Sequence, residues 1–173
     1  MKTLHLQKLE LKTFTEQNIL DYCLLNSLNL ENITTINLKY NKLTDISGIK
    51  YLKNLKGLYL NVNNLTDISV IKNLTDLKYL DIGYNNITDI SVIKNFKNLI
   101  DLDLGYNKIK DISAVQYLDN LQHLGIINLR LESDQIKYIN SCKNLKYLYC
   151  EKGFKDMSVL KQINENIEIY ELL

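Results

Sequence analysis

Leu77-Lys78-Tyr79-Leu80-Asp81-Ile82-Gly83-Tyr84-Asn85-Asn86-Ile87-Thr88-Asp89-Ile90-Ser91 is the clearest copy of a pattern that decides the fold. The same arrangement starts at Ile33, Leu55, Leu77 and Leu99, a spacing of 22 residues. Each copy reads Leu/Ile-x-x-Leu/Ile-x-Leu/Ile-x-x-Asn-x-Leu/Ile, then Thr/Lys-Asp-Ile-Ser, then two further apolar positions and a closing Asn or Asp. A fixed period of this length is the mark of a solenoid, because one strand-plus-turn unit cannot bury its own apolar face and must stack on its neighbours.

Looser copies extend the array in both directions. Leu6-x-x-Leu9-x-Leu11, Leu121-x-x-Leu124-x-Ile126, Leu145-x-x-Leu148-x-Cys150 and Ile167-x-x-Tyr170-x-Leu172 complete eight strands. Their starts are separated by 27, 22, 22, 22, 22, 24 and 22 residues, with the longer spacings towards the ends, where atypical repeats are expected. Residues 1–173 read as one domain: an N-terminal cap over 1–32, four regular repeats over 33–120 and irregular repeats over 121–173. The cap should hold an α-helix over Thr15 to Ser27, with Ile19, Leu20, Cys23 and Leu24 on one stripe. Thr13 with Glu16, or Thr15 itself, is placed to cap it. Ser133 is the expected N-cap of a helical turn in the 24-residue repeat, and Asp45, Asp67, Asp89 and Asp111 are expected to cap tighter turns.

The pattern resembles the leucine-rich-repeat family, in the 22-residue subclass found in bacterial internalins and in a regulatory subunit of a protein phosphatase. The resemblance implies an α/β solenoid, a right-handed coil whose concave side is a parallel sheet of about eight strands, with short turns or helices on the convex side. It also implies that Asn41, Asn63, Asn85 and Asn107 point inward and satisfy backbone groups where the coil turns. The equivalent positions outside the regular repeats read as Phe14, Leu129 and Gly153. Internalin likeness suggests adhesion to a host surface, and likeness to the phosphatase regulator suggests an intracellular scaffold.

Composition narrows the function classes. Lys and Arg total 21 against 20 Asp and Glu, and a net charge near +1 gives no electrostatic reason to expect nucleic acid, whose binding needs a basic face. Apolar runs of about four residues provide neither a membrane span nor a secretory segment. The expected setting is the cytoplasm, with a secreted or cell-surface location as the alternative if a signal peptide has been removed. The three cysteines, Cys23, Cys142 and Cys150, occupy apolar slots and are expected to be free thiols.

Side chains facing solvent from the strands are the x positions between the leucines, since alternation has period two. The third position carries Lys8, Thr35, Gly57, Tyr79, Asp101, His123 and Tyr147; the fifth carries Glu10, Asn37, Tyr59, Asp81, Asp103, Gly125 and Tyr149. Just beyond the strands, Tyr40, Tyr84 and Tyr106 recur at one position, with Val62 breaking the column. Strands about 4.8 Å apart should gather Tyr59, Tyr79, Asp81, Tyr84, Asp101, Asp103 and Tyr106 into one aromatic and acidic patch, continued by His123, Tyr147 and Tyr149. Tyrosine suits a binding surface because it offers a large contact area at low entropic cost. The aspartates read as a solvated stripe that selects a basic partner.

These residues nominate a non-catalytic interaction scaffold that binds a protein or peptide through the concave face, as a monomer and without cofactor or metal. No phosphate loop, paired-cysteine motif or Ser-His-Asp arrangement accompanies the aspartates. The rival reading is a self-assembling structural module whose last strand offers an open edge.

Overall fold

The computed structural model describes residues 2–151 and 163–172. Eight strands form one parallel sheet in sequence order: β1 Lys2–His5, β2 Ile33–Asn37, β3 Gly57–Tyr59, β4 Tyr79–Asp81, β5 Asp101–Asp103, β6 His123–Gly125, β7 Tyr147–Glu151 and β8 Glu168–Leu172. In the regular repeats the leucines and isoleucines within and on either side of each short strand are buried: Leu55, Leu58 and Leu60 in one coil, Leu77, Leu80 and Ile82 in the next, Leu99, Leu102 and Leu104 in the third. The pairing of Leu58 with Leu80 and of Leu80 with Leu102 stacks like on like down the core.

The opposite side of each coil is closed by a 3-10 segment, at Ser47–Tyr51, Ser69–Asn73, Ser91–Asn95 and Ser113–Tyr117. The carboxylates of Asp45, Asp67, Asp89 and Asp111 each accept from the serine N–H two residues on, all at 2.7 Å. The expected caps are therefore present. The 3-10 form turns the chain within five residues, which a 22-residue coil requires, and it buries Ile49, Ile71, Ile93 and Val115.

The asparagine spine is the polar part of this interior. The Asn63 amide donates to the carbonyls of Leu38 and Leu60, and its oxygen accepts from Leu43 N–H at 3.0 Å. Asn85 repeats the arrangement with Leu60, Ile82 and Leu65, and Asn107 with Ile82, Leu104 and Ile87. Each side chain thus ties its own coil to the preceding one. A second column, at the closing position of the repeat, does the same at the surface: Asn54, Asn98, Asn120 and Asn144 donate to the carbonyls of Glu31, Thr75, Lys97 and Asp119.

At the N-terminal end, α1 Glu16–Leu25 is capped by Thr15, whose hydroxyl accepts from Asn18 N–H while the Asn18 side chain accepts from Thr15 N–H. Only Ile19 and Cys23 of the expected stripe are buried. Leu20 is 41% and Leu24 81% exposed, because the end of a narrow coil offers α1 room for one i, i+4 row only. Glu16 accepts from the Tyr51 hydroxyl, fastening the helix to the first 3-10 turn. Gly48 is needed there, since a Cβ would overlap the Thr15 backbone.

Three expectations are corrected. The first strand is β1, not Leu6 to Leu11: Thr3 pairs with Thr35, Leu4 with Ile36 and His5 with Asn37. Leu4-x-Leu6 and Leu9-x-Leu11 fit the apolar template equally well, and packing of Leu4 and Leu6 into the core, with Leu9 left exposed, decides between them. Lys8 and Glu10 therefore lie beyond the strand, and Leu9, not Phe14, stands level with the spine. The last strand is shifted by one residue: Ile169 pairs with Leu148 and Tyr170 with Tyr149, so Ile169 faces inward and Tyr170 outward. Ser133 opens a 3-10 turn, Ser133–Gln135, without a side-chain cap, and α2 Ile136–Asn140 follows it. Gly153 lies outside the described residues. Among the described residues no helix is long and apolar enough to cross a membrane.

Asn63→Ala should lower stability by about 1–3 kcal/mol, since it strands buried backbone groups, whereas Asn64→Ala, exposed at the next position, should change little; urea midpoints of the two variants check this. The cysteines are free and buried, and burial raises the Cys23 thiol, pushes Cys142 up to about 12 and Cys150 up to about 11. Thiolates rather than thiols react, so a thiol reagent near neutral pH should be nearly inert towards the native chain and count three groups once it is unfolded.

Candidate functional site

The outward face of the sheet carries two rows of side chains. Thr3, Thr35, Gly57, Tyr79, Asp101, His123, Tyr147 and Glu168 follow one another in the first; His5, Asn37, Tyr59, Asp81, Asp103, Gly125, Tyr149 and Tyr170 form the second. The parallel register sets these neighbours, so the expected grouping of Tyr59, Tyr79, Asp81, Asp101 and Asp103 is present as adjacent positions on three strands. A hollow of about 290 Å³ is lined by these five with Lys39. A second of the same size shares Asp101 and Asp103 and is continued by His123, Gly125 and Tyr149.

Asp81 and Asp103 are not freely solvated, whereas Asp101 is exposed. Asp81 and Asp103 are half-buried, and their carboxylates accept from Gly83 N–H at 3.2 Å and Gly105 N–H at 2.9 Å. Asn37 makes the same turn-closing bond to Lys39 N–H. Asp81 also pairs with the Lys39 ammonium at 2.9 Å, and Lys39 lies 4.9 Å from the centre of the Tyr59 ring. A Cβ on Gly125 would come within 2.6 Å of an Asp103 carboxylate oxygen, so a larger residue there would displace that side chain. Lost hydration pushes the Asp103 carboxyl above its ordinary value; the Gly105 N–H opposes this, while Asp81 and Asp101 add to it. The Asp101 carboxyl is raised for the same first reason, with His123 opposing. Lys39 went unnoticed in the sequence although it continues the period-two alternation past the end of its strand.

Tyr84 and Tyr106 stack with ring centroids 4.0 Å apart and planes 13° from parallel. They sit in the left-handed region, at φ 53° and 54°, as do Tyr40 at 56° and Val62 at 59°. This conformation is uncommon for residues other than glycine, asparagine and aspartate, and a β-branched residue such as Val62 is a clear outlier. At the far end His123 stacks on Tyr147 at 4.7 Å, and Tyr149 on Tyr170 at 5.3 Å. Tyr170 joins this cluster because of the one-residue shift of β8. Among the described residues no three His, Cys, Asp or Glu side chains converge as metal ligands.

A family model described as leucine-rich repeats in two copies matches residues 31–73, 53–95 and 75–118. Together these windows run from 31 to 118, which is half of the chain. No curated protein matches the sequence significantly. Among solved structures, an internalin C2 from Listeria monocytogenes is 32% identical with a TM-score of 0.66, over 69% of this chain and 52% of its own. An internalin F from the same organism is 26% identical with a TM-score of 0.67, over 84% and 49%. A leucine-rich-repeat protein from Leptospira interrogans is 28% identical with a TM-score of 0.66, over 81% and 37%. The chain thus spans about half the length of the two internalins and less of the third protein.

The raised Asp101 and Asp103 carboxyls define a stability test. The folded state holds these protons more tightly than the unfolded chain, so the two groups favour folding at low pH, and that contribution is lost as pH rises through their folded-state values. Asp101→Asn with Asp103→Asn, which keeps an acceptor for Gly105 N–H, should therefore raise the melting temperature at pH 7. The gain should close below the ordinary carboxylate value of 3.8, and a lower melting temperature at pH 7 would contradict the assigned desolvation.

Proposed function

Because the chain belongs to the leucine-rich-repeat family, we propose that it is a non-catalytic interaction module whose sheet face receives an extended, basic segment of a partner protein or peptide. The observation that carries this reading is the hollow between Tyr59, Tyr79, Asp81 and Asp101. It joins aromatic walls to carboxylates, one of which, Asp81, already holds the Lys39 ammonium. An incoming Lys or Arg would find at Asp101 and Asp103 the environment that Lys39 finds at Asp81 and Tyr59.

The tyrosine ridge supports the same reading. Tyr40 and Tyr84 are each about half exposed, and a left-handed backbone position would accept asparagine or glycine with less strain. Rings held there enlarge the outer face of the coil rather than its core. Strain of this kind is often retained where a surface has work to do. Three buried, unpaired thiols suit a reducing, cytoplasmic setting, and the module acts as a monomer in this reading.

The test is a selection of random displayed peptides against the intact chain. Selected sequences should be rich in Lys and Arg. Tyr84→Ala with Tyr106→Ala should weaken them by about 2 kcal/mol or more, roughly thirtyfold, while the melting temperature hardly moves. Peptides without basic residues, or affinities indifferent to Tyr59, Tyr79, Tyr84 and Tyr106, would remove the sheet face from consideration.

A further inference from the structure

Lys8, Tyr40, Val62, Tyr84, Tyr106 and Asn128 stand at one position of successive coils, just past the strands. Their backbones share the left-handed region, with φ between 53° and 60°. From Lys8 to Tyr106 each N–H donates to a carbonyl of the following coil, at 2.7–3.1 Å. Equivalent backbones in register send their side chains out in parallel, one per coil. Tyr84 and Tyr106 show the result, stacked at 4.0 Å with planes 13° apart.

Val62 interrupts this ladder. A valine reaches no further than its γ-methyls, so the Tyr40 ring and the free face of Tyr84 stand two coils apart across it. At the 4.0 Å step of the Tyr84–Tyr106 stack that separation is about 8 Å, and a flat ring in contact on both faces needs about 7–8 Å. Both bracketing rings are 51% exposed. Among the described residues Tyr40 has no ring partner. The Tyr84 hydroxyl is raised first by its hydrogen bond with Tyr106, and Tyr40 is close enough to add to the rise. Asparagine, as at Asn128, would hold the backbone of Val62 with less strain.

We propose that the gap between Tyr40 and Tyr84 is a slot that receives one aromatic side chain of the partner, with the two rings as walls and Val62 as floor. A guanidinium is also flat, but it would share Tyr40 with the Lys8 ammonium, 5.6 Å from the ring centre. The carboxylates that reach the coil of Tyr40, Glu10 and Asp81, already hold Lys42 and Lys39. A neutral ring meets neither obstacle, and it completes the ladder with contact on both faces. The inference deepens the reading of the sheet face as a protein-binding surface and rests on it for the nature of the occupant.

The chain contains no tryptophan, so indole fluorescence reports a probe alone. N-acetyl-tryptophanamide titrated with the intact chain should change its emission saturably, and N-acetyl-phenylalaninamide should displace it where N-acetyl-leucinamide does not. Val62→Tyr should fill the slot and abolish the response, with a melting temperature no lower than that of the parent. Val62→Asn should keep both the slot and the response, and Tyr40→Ala should weaken capture about tenfold while the melting temperature hardly moves. The probe carries no basic group, so its capture and the selection of basic peptides by the aspartate-lined hollows can each fail while the other holds. Capture that survives Val62→Tyr, that is lost in Val62→Asn, or that N-acetyl-argininamide or adenosine outcompetes more strongly than the phenylalanine amide would overturn the proposal.

Discussion

The amide of an inward-facing asparagine, repeated in four successive coils at Asn41, Asn63, Asn85 and Asn107, is the interaction on which the rest of this structure depends. A strand of three residues followed by a sharp turn leaves carbonyls and N–H groups inside the coil that no ladder can reach. Asn63, Asn85 and Asn107 meet them with two donors and one acceptor each, always spanning two coils. The leucines supply most of the burial, but burial is non-directional and would tolerate a slipped register. The amides do not tolerate it, since each bond needs its partner at a set position one coil away. Together they make the 22-residue period a structural requirement rather than a statistical one.

That constraint also arranges the outer face. Once Leu58, Leu80 and Leu102 are stacked, the residues beside them must stack as well, which brings Tyr79 level with Asp101 and Tyr59 level with Asp81. The aspartates then serve two ends. Asp81 and Asp103 close the turns after β4 and β5 through a backbone N–H, and the aspartates remain near enough to one another that burial and mutual repulsion hold the carboxyls of Asp101 and Asp103 above the usual range. A surface that is partly structural and partly unsatisfied is the kind to which a cation would add stability.

The regular repeats were legible because two independent signals agree there. Apolar residues at the first, fourth and sixth positions give strand alternation, and the asparagine at the ninth marks the turn. The ends lack the second signal, and the reading slipped at both of them. Leu4, Leu6, Leu9 and Leu11 offer two equivalent placements of an apolar pair, and no asparagine distinguishes them. In β8 a shift of one residue exchanged Ile169 and Tyr170 between the faces. The helix stripe failed for a different reason: Leu20 and Leu24 have the right periodicity, but the width of the surface that α1 covers is a property of the coil beneath it.

The sequence by itself determined the repeating unit, the parallel sheet, the inward asparagines, the aspartate caps and the identity of the outward tyrosines and aspartates, since each follows from local spacing. Tertiary structure alone decided how those outward groups meet. The salt bridge of Lys39 to Asp81 spans 42 positions of the chain, and the Tyr84–Tyr106 stack spans 22. These contacts join residues from different coils, and their distances and protonation depend on burial and neighbouring charge that no local pattern encodes.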